Sequence, residues 1–151
     1  MIQTVLGPLA PEQMGVTMCH EHLAVNLSTV REDADSVFSD SALIRNEVEL
    51  AKKEGVATFI EVSCNDMGRD AAALVRLSRA CGVNIVCATG FYLDVYNPNW
   101  VRSGSVEEIQ AVFEKELKEG IGDTGVKAGV IGEIAGEADH LGRRFLGRAL
   151  A

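Results

Sequence analysis

Basic residues are scarce in this sequence, and their scarcity limits the partners it can bind. There are 14 Lys and Arg against 22 Asp and Glu, which gives a formal net charge of −8. Neutralising the phosphates of a nucleic acid requires a cluster or stripe of positive side chains. The sequence contains no such stripe, so we do not expect nucleic acid as a partner.

Long apolar runs are also missing. A helix that crosses a membrane needs roughly 18 or more consecutive apolar residues, and no segment approaches that length. Residues 1–8 lack the basic region followed by a long apolar stretch that is typical of a secretion signal. We therefore expect a soluble, cytoplasmic protein that does not associate with membranes.

Cysteine pairs at metal-binding spacing are absent as well. The four cysteines, Cys19, Cys64, Cys81 and Cys87, form no C-x-x-C pattern. In a protein without a secretion signal, such cysteines are expected to be reduced core residues and not disulfides or a zinc site.

What the sequence does contain is enough apolar material for one sizeable core. Hydrophobic residues make up 47% of the 151 residues, a length that suits a single domain. No domain linker, low-complexity segment or internal repeat interrupts it. We therefore predict one domain over residues 1–151.

Short apolar segments alternate with amphipathic ones from residue 15 onward. This alternation is typical of a parallel α/β sheet, and strands that are almost continuously apolar are expected to be covered on both faces. The predicted strands are Gly15–Cys19, Ala57–Val62, Asn84–Ala88 and Lys127–Ile131.

The amphipathic segments between these strands predict helices with recognisable ends. The first covers about Asp40–Glu54, and the second covers about Arg69–Cys81, with Asp70 interpreted as a helix-end residue. The third begins at the capping box Ser105–Glu108 and ends at Gly120. Apolar residues at four-residue spacing predict a fourth helix in Gly136–Ala151.

One pattern match is rejected on its context. Residues 120–125 fit the G-x-G-x-x-G expression for dinucleotide binding. That motif requires a preceding strand and a following helix, so that the pyrophosphate meets the helix N-terminus. Here the order is helix, glycine loop, strand, and we interpret the segment as a flexible connection.

The pair His20 and His22 follows the first predicted strand. Side chains alternate faces along a strand, so both imidazoles point to one side and Glu21 points to the other. Two imidazoles on one face can share a metal ion such as zinc. A His-x-His pair also arises by chance on solvated strands and loops, and the pair alone does not decide between these possibilities.

Glu133 follows the fourth predicted strand, at its C-terminal end. Catalytic residues of βα-barrels gather at that edge of the sheet. The alternative is a solvated glutamate just beyond the end of the strand. Because His22 and Glu133 fall at the same edge of a parallel sheet, we predict one site in which a carboxylate bridges two metal ions.

Five segments of the sequence together resemble the phosphotriesterase-like branch of the amidohydrolase superfamily, and especially its phosphotriesterase-related proteins. They occur in the order typical of the family and cover most of residues 2–134. The segments are Gln3–Pro8, Cys19–Leu23, Glu61–Asp70, Ala88–Tyr92 and Lys127–Ile134.

This resemblance implies a (β/α)8 barrel of the TIM type with a binuclear, usually zinc, centre. The implied activity is hydrolysis of small-molecule esters, lactones, amides or phosphotriesters by a metal-bound hydroxide. His20 and His22 match the pair on the first strand that binds the more buried metal, and Glu133 matches the bridging ligand. Tyr92 matches an aromatic residue of the substrate pocket, although packing at the barrel mouth explains a tyrosine there equally well.

The chain departs from the family in length. A complete barrel typically takes about 250 residues, and this chain supplies about four βα units after a short N-terminal β segment. The family's later histidine ligands and its catalytic aspartate, the general base, have no counterpart, and His140 lies too close to Glu133 to replace one of them.

An incomplete barrel leaves sheet edges unpaired. We therefore expect self-association or pairing with a complementary half-barrel. Besides an enzyme, two possibilities stay open: a non-catalytic metal-binding half-barrel that associates with another chain, and a truncated gene product.

Overall fold

The computed structural model of this chain describes residues 1–39 and 41–135. The fourth helix, predicted in residues 136–151, and His140 lie outside the described residues. Within them there are eight strands: β1 (Ile2–Thr4), β2 (Gly7–Leu9), β3 (Val16–Glu21), β4 (Val25–Asn26), β5 (Val37–Phe38), β6 (Val56–Glu61), β7 (Asn84–Thr89) and β8 (Val130–Ile131). The same residues form five α-helices: α1 (Ser28–Arg31), α2 (Ala42–Lys53), α3 (Ala71–Cys81), α4 (Asn99–Ser103) and α5 (Val106–Lys118).

The central element is a four-stranded sheet with the order β3-β6-β7-β8. Every neighbouring pair in it is parallel. Helix α2 connects β3 to β6, α3 connects β6 to β7, and α5 precedes β8. The predicted parallel α/β class is therefore confirmed. Because the strands are parallel, their C-terminal ends meet at one edge of the sheet.

The helix ends follow local capping. Helix α2 begins at Ala42, two residues after the predicted start, because the Ser41 hydroxyl accepts a hydrogen bond from the Ile44 N–H at 3.3 Å. The predicted capping box at Ser105 is present. Asp70 caps α3 by accepting from the Ala73 N–H at 2.8 Å, which confirms it as a helix-end residue.

Two strands differ from their predicted bounds. Strand β3 extends to Glu21, so His20 lies inside the strand and not after it. Strand β8 is only Val130–Ile131. The Gly129 N–H still donates to Cys87 O on β7 at 2.9 Å, but the Ala128 N–H turns to helix α5 and donates to Glu116 O at 2.9 Å. The predicted strand from Lys127 was therefore too long.

Two short hairpins accompany the sheet. Strands β1 and β2 pair antiparallel, and the Val5 N–H that follows β1 donates to Ile85 O at 2.8 Å. Strands β4 and β5 also pair antiparallel, with Val25 opposite Phe38. The second hairpin was not predicted, because strands of two residues carry no readable alternation.

The main core lies between the sheet and helices α2 and α3. Leu74, Leu77 and Ile85 are at most 1% exposed there. Cys64, Cys81 and Cys87 are buried as predicted, whereas Cys19 is exposed on β3, an edge strand of this sheet. All four cysteines are unpaired. In the described ranges, none of the helices has the length and apolar character needed to cross a membrane.

Candidate metal centre

Three side chains converge at the C-terminal edge of the sheet: His20, His22 and Glu133. His20 Nε2 lies 2.9 Å from Glu133 Oε1, and His22 Nε2 lies 3.8 Å from Glu133 Oε2. One ligand atom from each of the three residues lies within 4.8 Å of the other two. The carboxylate therefore presents one oxygen to each imidazole.

Strand β3 places both imidazoles on the same side. The ring centroids are 5.5 Å apart and the rings meet edge to face, with an interplanar angle of 79°. The His20 side chain is 57% exposed, and the His22 side chain is 29% exposed. The alternation expected of a strand thus brings the two rings to one carboxylate, with His20 at the rim and His22 deeper.

Backbone contacts position Glu133 after β8. Its N–H donates to Val62 O at 3.3 Å, and the Cys64 thiol donates to Glu133 O at 3.5 Å. Gly132 has a φ of +147°, a region that side chains rarely adopt. Gly90 lies so close that a Cβ there would sit 3.0 Å from Glu133 O. Two glycines, Gly90 and Gly132, and the residues after β6 therefore fix the position of the Glu133 backbone.

A buried chain of hydrogen bonds stands behind His22. His22 Nδ1 lies 2.9 Å from Ser63 Oγ, and Ser63 Oγ donates to Glu61 Oε1 at 2.5 Å. The Leu23 N–H also donates to Glu61 Oε1, at 3.2 Å. Burial raises the pKa of Glu61 to about 7, against the opposing effect of its hydrogen bonds. Burial also lowers the pKa of His22, although the nearby Glu133 carboxylate opposes this.

Sequence reasoning did not single out Glu61 or Ser63. Glu61 is the last residue of β6 and is fully buried, and Ser63 follows it. The signal was present, since Glu61 ends a buried strand at the same sheet edge as Glu133. A buried carboxylate of this kind requires hydrogen-bond partners, and Ser63 and Leu23 supply them.

A cavity of about 480 Å³ opens beside the cluster. Tyr92 lines it, its N–H donates to both carboxylate oxygens of Asp66 at 3.0 and 2.8 Å, and its ring stacks on Tyr96 at 5.9 Å. Burial raises the pKa values of Asp66 and Tyr92. The lining residues are His22, Val25, Leu27, Arg31, Asp33, Asp35, Ser36, Phe38, Met67, Tyr92, Leu93, Tyr96 and Glu133.

The unpredicted hairpin β4–β5 and its connection form much of one wall of this cavity, and Tyr92 forms part of another. Tyr92 thus both faces the cavity and packs against an aromatic neighbour, so neither of its two interpretations is eliminated. Its contact with a substrate stays a prediction.

A buried ion pair supports the same edge of the sheet from α5. Arg69 Nη2 lies 3.0 Å from Glu116 Oε1, and the Asn65 amide donates to the same oxygen at 3.0 Å. Arg69 also donates to Ala88 O on β7. This ion pair was not predicted. It ties the loop after β6 to both β7 and α5.

The glycine-rich segment is a connection, as predicted. Residues 120–125 lie between α5 and β8, and the Ile121 N–H donates to Val126 O at 2.7 Å, which closes the turn. The segment does not open a helix, and the dinucleotide-binding interpretation remains rejected.

The donor set suits a divalent transition metal. Neutral imidazole is a common ligand of zinc, copper, iron and nickel, and carboxylate oxygen completes many zinc sites. The two imidazoles come from strand β3 and the residue after it, and the carboxylate follows β8. These two chain segments meet at the end of the sheet where parallel α/β barrels carry their active sites.

A sequence model of the phosphotriesterase family matches residues 1–146. The chain belongs to this family.

Solved and curated relatives agree with the family assignment. The phosphotriesterase homology protein of Escherichia coli is 36% identical over 120 residues, which are 80% of this chain and 41% of that protein. Its crystal structure, described as complexed with phosphate in the active site, superposes with a TM-score of 0.85 and 32% identity, covering 91% of this chain and 48% of that one. The predicted TIM-barrel type is confirmed, and the chain superposes on about half of that structure.

Two further relatives are named as hydrolases. An N-acetyltaurine hydrolase of Xenopus tropicalis is 30% identical over 88% of this chain and 47% of its own length. An aryldialkylphosphatase of Saccharolobus solfataricus is 33% identical over 83% of this chain and 41% of its own length. The chain spans less than half the length of the curated relatives it matches.

Proposed function

We propose that this phosphotriesterase-family chain carries one half of a zinc-dependent hydrolase site, in which His20, His22 and Glu133 are metal ligands and Tyr92 contacts the substrate. The observation that carries the proposal is the convergence of two imidazoles on the two oxygens of one carboxylate, at 2.9 and 3.8 Å. Residues 1–151 would act as a single domain.

A hydrogen bond accounts for only one of the two contacts that the Glu133 carboxylate makes, the one with His20 Nε2 at 2.9 Å. Glu133 Oε2 and His22 Nε2 are 3.8 Å apart, beyond hydrogen-bond distance, and the carboxylate is only 18% exposed. When bound, the metal would activate water and polarise the oxygen of the scissile group. The chain's own residues hold the three side chains together at the end of the sheet.

The substrate we propose is a small molecule with an ester, lactone, amide or phosphotriester bond. The relatives include an N-acetyltaurine hydrolase and an aryldialkylphosphatase. The cavity next to Glu133 supports a substrate with an apolar group, since Val25, Phe38 and Met67 line it. The Tyr92 hydroxyl would steer an oxygen of the substrate.

Catalytic competence of the chain by itself is a separate proposal. Within the described residues, no further histidine lies near the cluster, and the resemblance supplies no general base from this half of the barrel. We propose that self-association or a complementary half-barrel completes the site. The contact would form along the two outer strands of the sheet, β3 and β8, each of which has one described neighbour.

A second candidate function follows from the same coverage. A non-catalytic metal-binding half-barrel would use the same three ligands without turnover. It is favoured because, within the described residues, no histidine other than His20 and His22 lies near the cluster. A truncated gene product would bind zinc poorly or fold poorly. From the four unpaired cysteines, we also propose a cytoplasmic location, which microscopy of a tagged chain would test.

Zinc binding and turnover separate these possibilities. The purified chain is titrated with zinc, its oligomeric state is measured, and it is assayed on an aryl ester, a lactone, an N-acyl amide and a phosphotriester. We expect about one zinc or more per chain, lost in His22→Ala and retained in the exposed control Glu47→Gln. Turnover lost in His22→Ala supports the enzyme. Zinc binding by an inert oligomer supports the metal-binding module, and no zinc binding contradicts both.

A further inference from the structure

We propose that Glu61 and Ser63 are positioning residues that hold His22 as the tautomer with hydrogen on Nδ1, so that the Nε2 lone pair faces Glu133. The inference rests on the proposed metal site, because a ligating histidine must present an unprotonated nitrogen. It concerns residues that neither the family resemblance nor the relatives' names assign.

The direction of each hydrogen bond follows from the number of hydrogens available. A serine hydroxyl carries one hydrogen. Ser63 Oγ lies 2.5 Å from Glu61 Oε1, and that oxygen also accepts from the Leu23 N–H at 3.2 Å. The ionised Glu61 carboxylate has no hydrogen to donate, so in that state the single hydroxyl hydrogen of Ser63 is directed to Oε1.

The remaining bond must then run from the ring to the hydroxyl. His22 Nδ1 lies 2.9 Å from Ser63 Oγ, whose hydrogen is already committed to Glu61. Nδ1 can keep this hydrogen bond only by donating. In the neutral imidazole, the other nitrogen, Nε2, then carries the lone pair.

Burial makes this arrangement persistent. Glu61 and Ser63 are both fully buried, so water does not replace either partner. An unsatisfied buried polar group is costly, which penalises the opposite tautomer. Ligating histidines in general donate their second ring N–H to an acceptor, which sets the tautomer and the ring orientation.

The resulting contact between His22 and Glu133 supports a cation there. In this tautomer, Nε2 and Glu133 Oε2 are two acceptors 3.8 Å apart, with no hydrogen between them. A positive ion bound by both would remove the repulsion between their lone pairs. The same segment also steadies the carboxylate, because Val62 O accepts from the Glu133 N–H.

The test reads the tautomer directly in the metal-free protein. Nitrogen-15 NMR of the labelled full chain distinguishes protonated from unprotonated ring nitrogens, and His20→Ala and His140→Ala variants assign the three histidines. Well above pH 7, where the Glu61 carboxyl with its pKa of about 7 is ionised and His22 is neutral, we expect hydrogen on Nδ1 in the wild-type protein. Ser63→Ala should give a mixture of tautomers, and Ser63→Thr, which keeps the hydroxyl, should restore the wild-type pattern.

Zinc affinity supplies the second readout. Ser63→Ala should weaken zinc binding by about 10–100-fold, the usual effect of losing such a partner. Ser78→Ala is the matched control. Ser78 lies on helix α3 and is an equally buried serine, and its hydroxyl donates to Val83 O at 2.6 Å. The control should leave both tautomer and affinity unchanged.

The outcomes separate the two proposals. Hydrogen on Nε2 of wild-type His22, or an unchanged tautomer in Ser63→Ala, overturns the positioning role even if zinc binds. A wild-type chain with hydrogen on Nδ1 that binds no zinc supports the assigned tautomer and overturns the proposed metal site. If Ser63→Ala and Ser78→Ala weaken zinc binding equally, the effect is general destabilisation and the positioning role is wrong.

Discussion

His20 and His22 stand on the same strand and face the same carboxylate, yet their surroundings differ. His22 is backed by the buried Ser63 and Glu61, whereas the described residues give the His20 ring only Glu133 and the edge of the His22 ring as partners. The His20 side chain is also about twice as exposed as that of His22, at 57% against 29%. The His22 imidazole is therefore held by the protein interior, and we expect the position of the His20 ring to depend more on whether a metal binds between it and Glu133.

The largest expected effect comes from removing the partner that both histidines share. Glu133→Gln keeps the size of the side chain but removes its charge and one acceptor oxygen. We expect zinc affinity to fall by roughly 1,000-fold, more than the loss of an outer partner causes. Equilibrium dialysis against zinc would measure it, with Glu47→Gln as the control. A loss of tenfold or less would show that the histidines bind metal without the carboxylate.

The burial of Glu61 behind His22 predicts that the stability of the fold depends on pH. Burial raises the pKa of Glu61 from 4.5 to about 7, so the folded chain keeps a proton that the unfolded chain has already lost. Its contribution to stability is complete below about pH 4.5 and is lost as the pH rises through 7. Relative to Glu61→Gln, the wild-type chain should lose about 3 kcal/mol of unfolding free energy across this range.

Urea unfolding of both proteins at several pH values would measure this difference. Subtracting the two curves removes the contribution of His22, whose lowered pKa acts in the opposite direction. A difference that does not change with pH would mean that Glu61 ionises normally in the folded chain.

The sequence predicted the positions of His20, His22 and Glu133 better than it predicted the buried residues that hold them in place. The strand period placed His20 and His22 on one face, and the geometry of parallel sheets placed Glu133 beside them. The first inference needs only the alternation of side chains along a strand, and the second needs only the common direction of parallel strands. The positions of the three side chains followed from that, while their role as ligands stays a proposal.

The support was missed because it depends on tertiary contacts. Ser63 matters through its distance to His22, and Glu116 matters through Arg69, from segments far apart in the chain. Strand β8 was predicted too long because the Ala128 N–H bonds to α5, which no local pattern reports. The hairpin β4–β5 was missed because each of its strands has only two residues.

A smaller effect is expected from crowding the backbone of Glu133. Gly90→Ala would place a Cβ 3.0 Å from the backbone oxygen of Glu133, so that the backbone carrying the carboxylate must shift by a few tenths of an ångström. We expect a loss of about 1 kcal/mol in stability and a severalfold weaker affinity for zinc. Gly122→Ala is a useful comparison, since its Cβ would meet nothing within 4 Å and it tests positive φ strain alone. Equal effects on zinc binding would contradict the role of close packing at Gly90.

The smallest expected effect distinguishes the two histidines in the metal-free protein. His20 should react severalfold faster than His22 with diethyl pyrocarbonate, because it is more exposed and Ser63 occupies Nδ1 of His22. Peptide mapping by mass spectrometry would give the two rates. Ser63→Ala should raise only the rate of His22. Equal rates for His20 and His22 in the wild-type protein would contradict the difference in their surroundings.

The position of zinc in crystals of the zinc-loaded chain, measured by anomalous scattering at the zinc absorption edge, would show whether these three side chains bind metal. We expect an anomalous peak within bonding distance, about 2.0–2.2 Å, of His20, His22 and Glu133 atoms, and no such peak in Glu133→Gln crystals. A peak at the exposed Cys19 thiol or elsewhere, with none between the two imidazoles and the carboxylate, would contradict the proposed metal site.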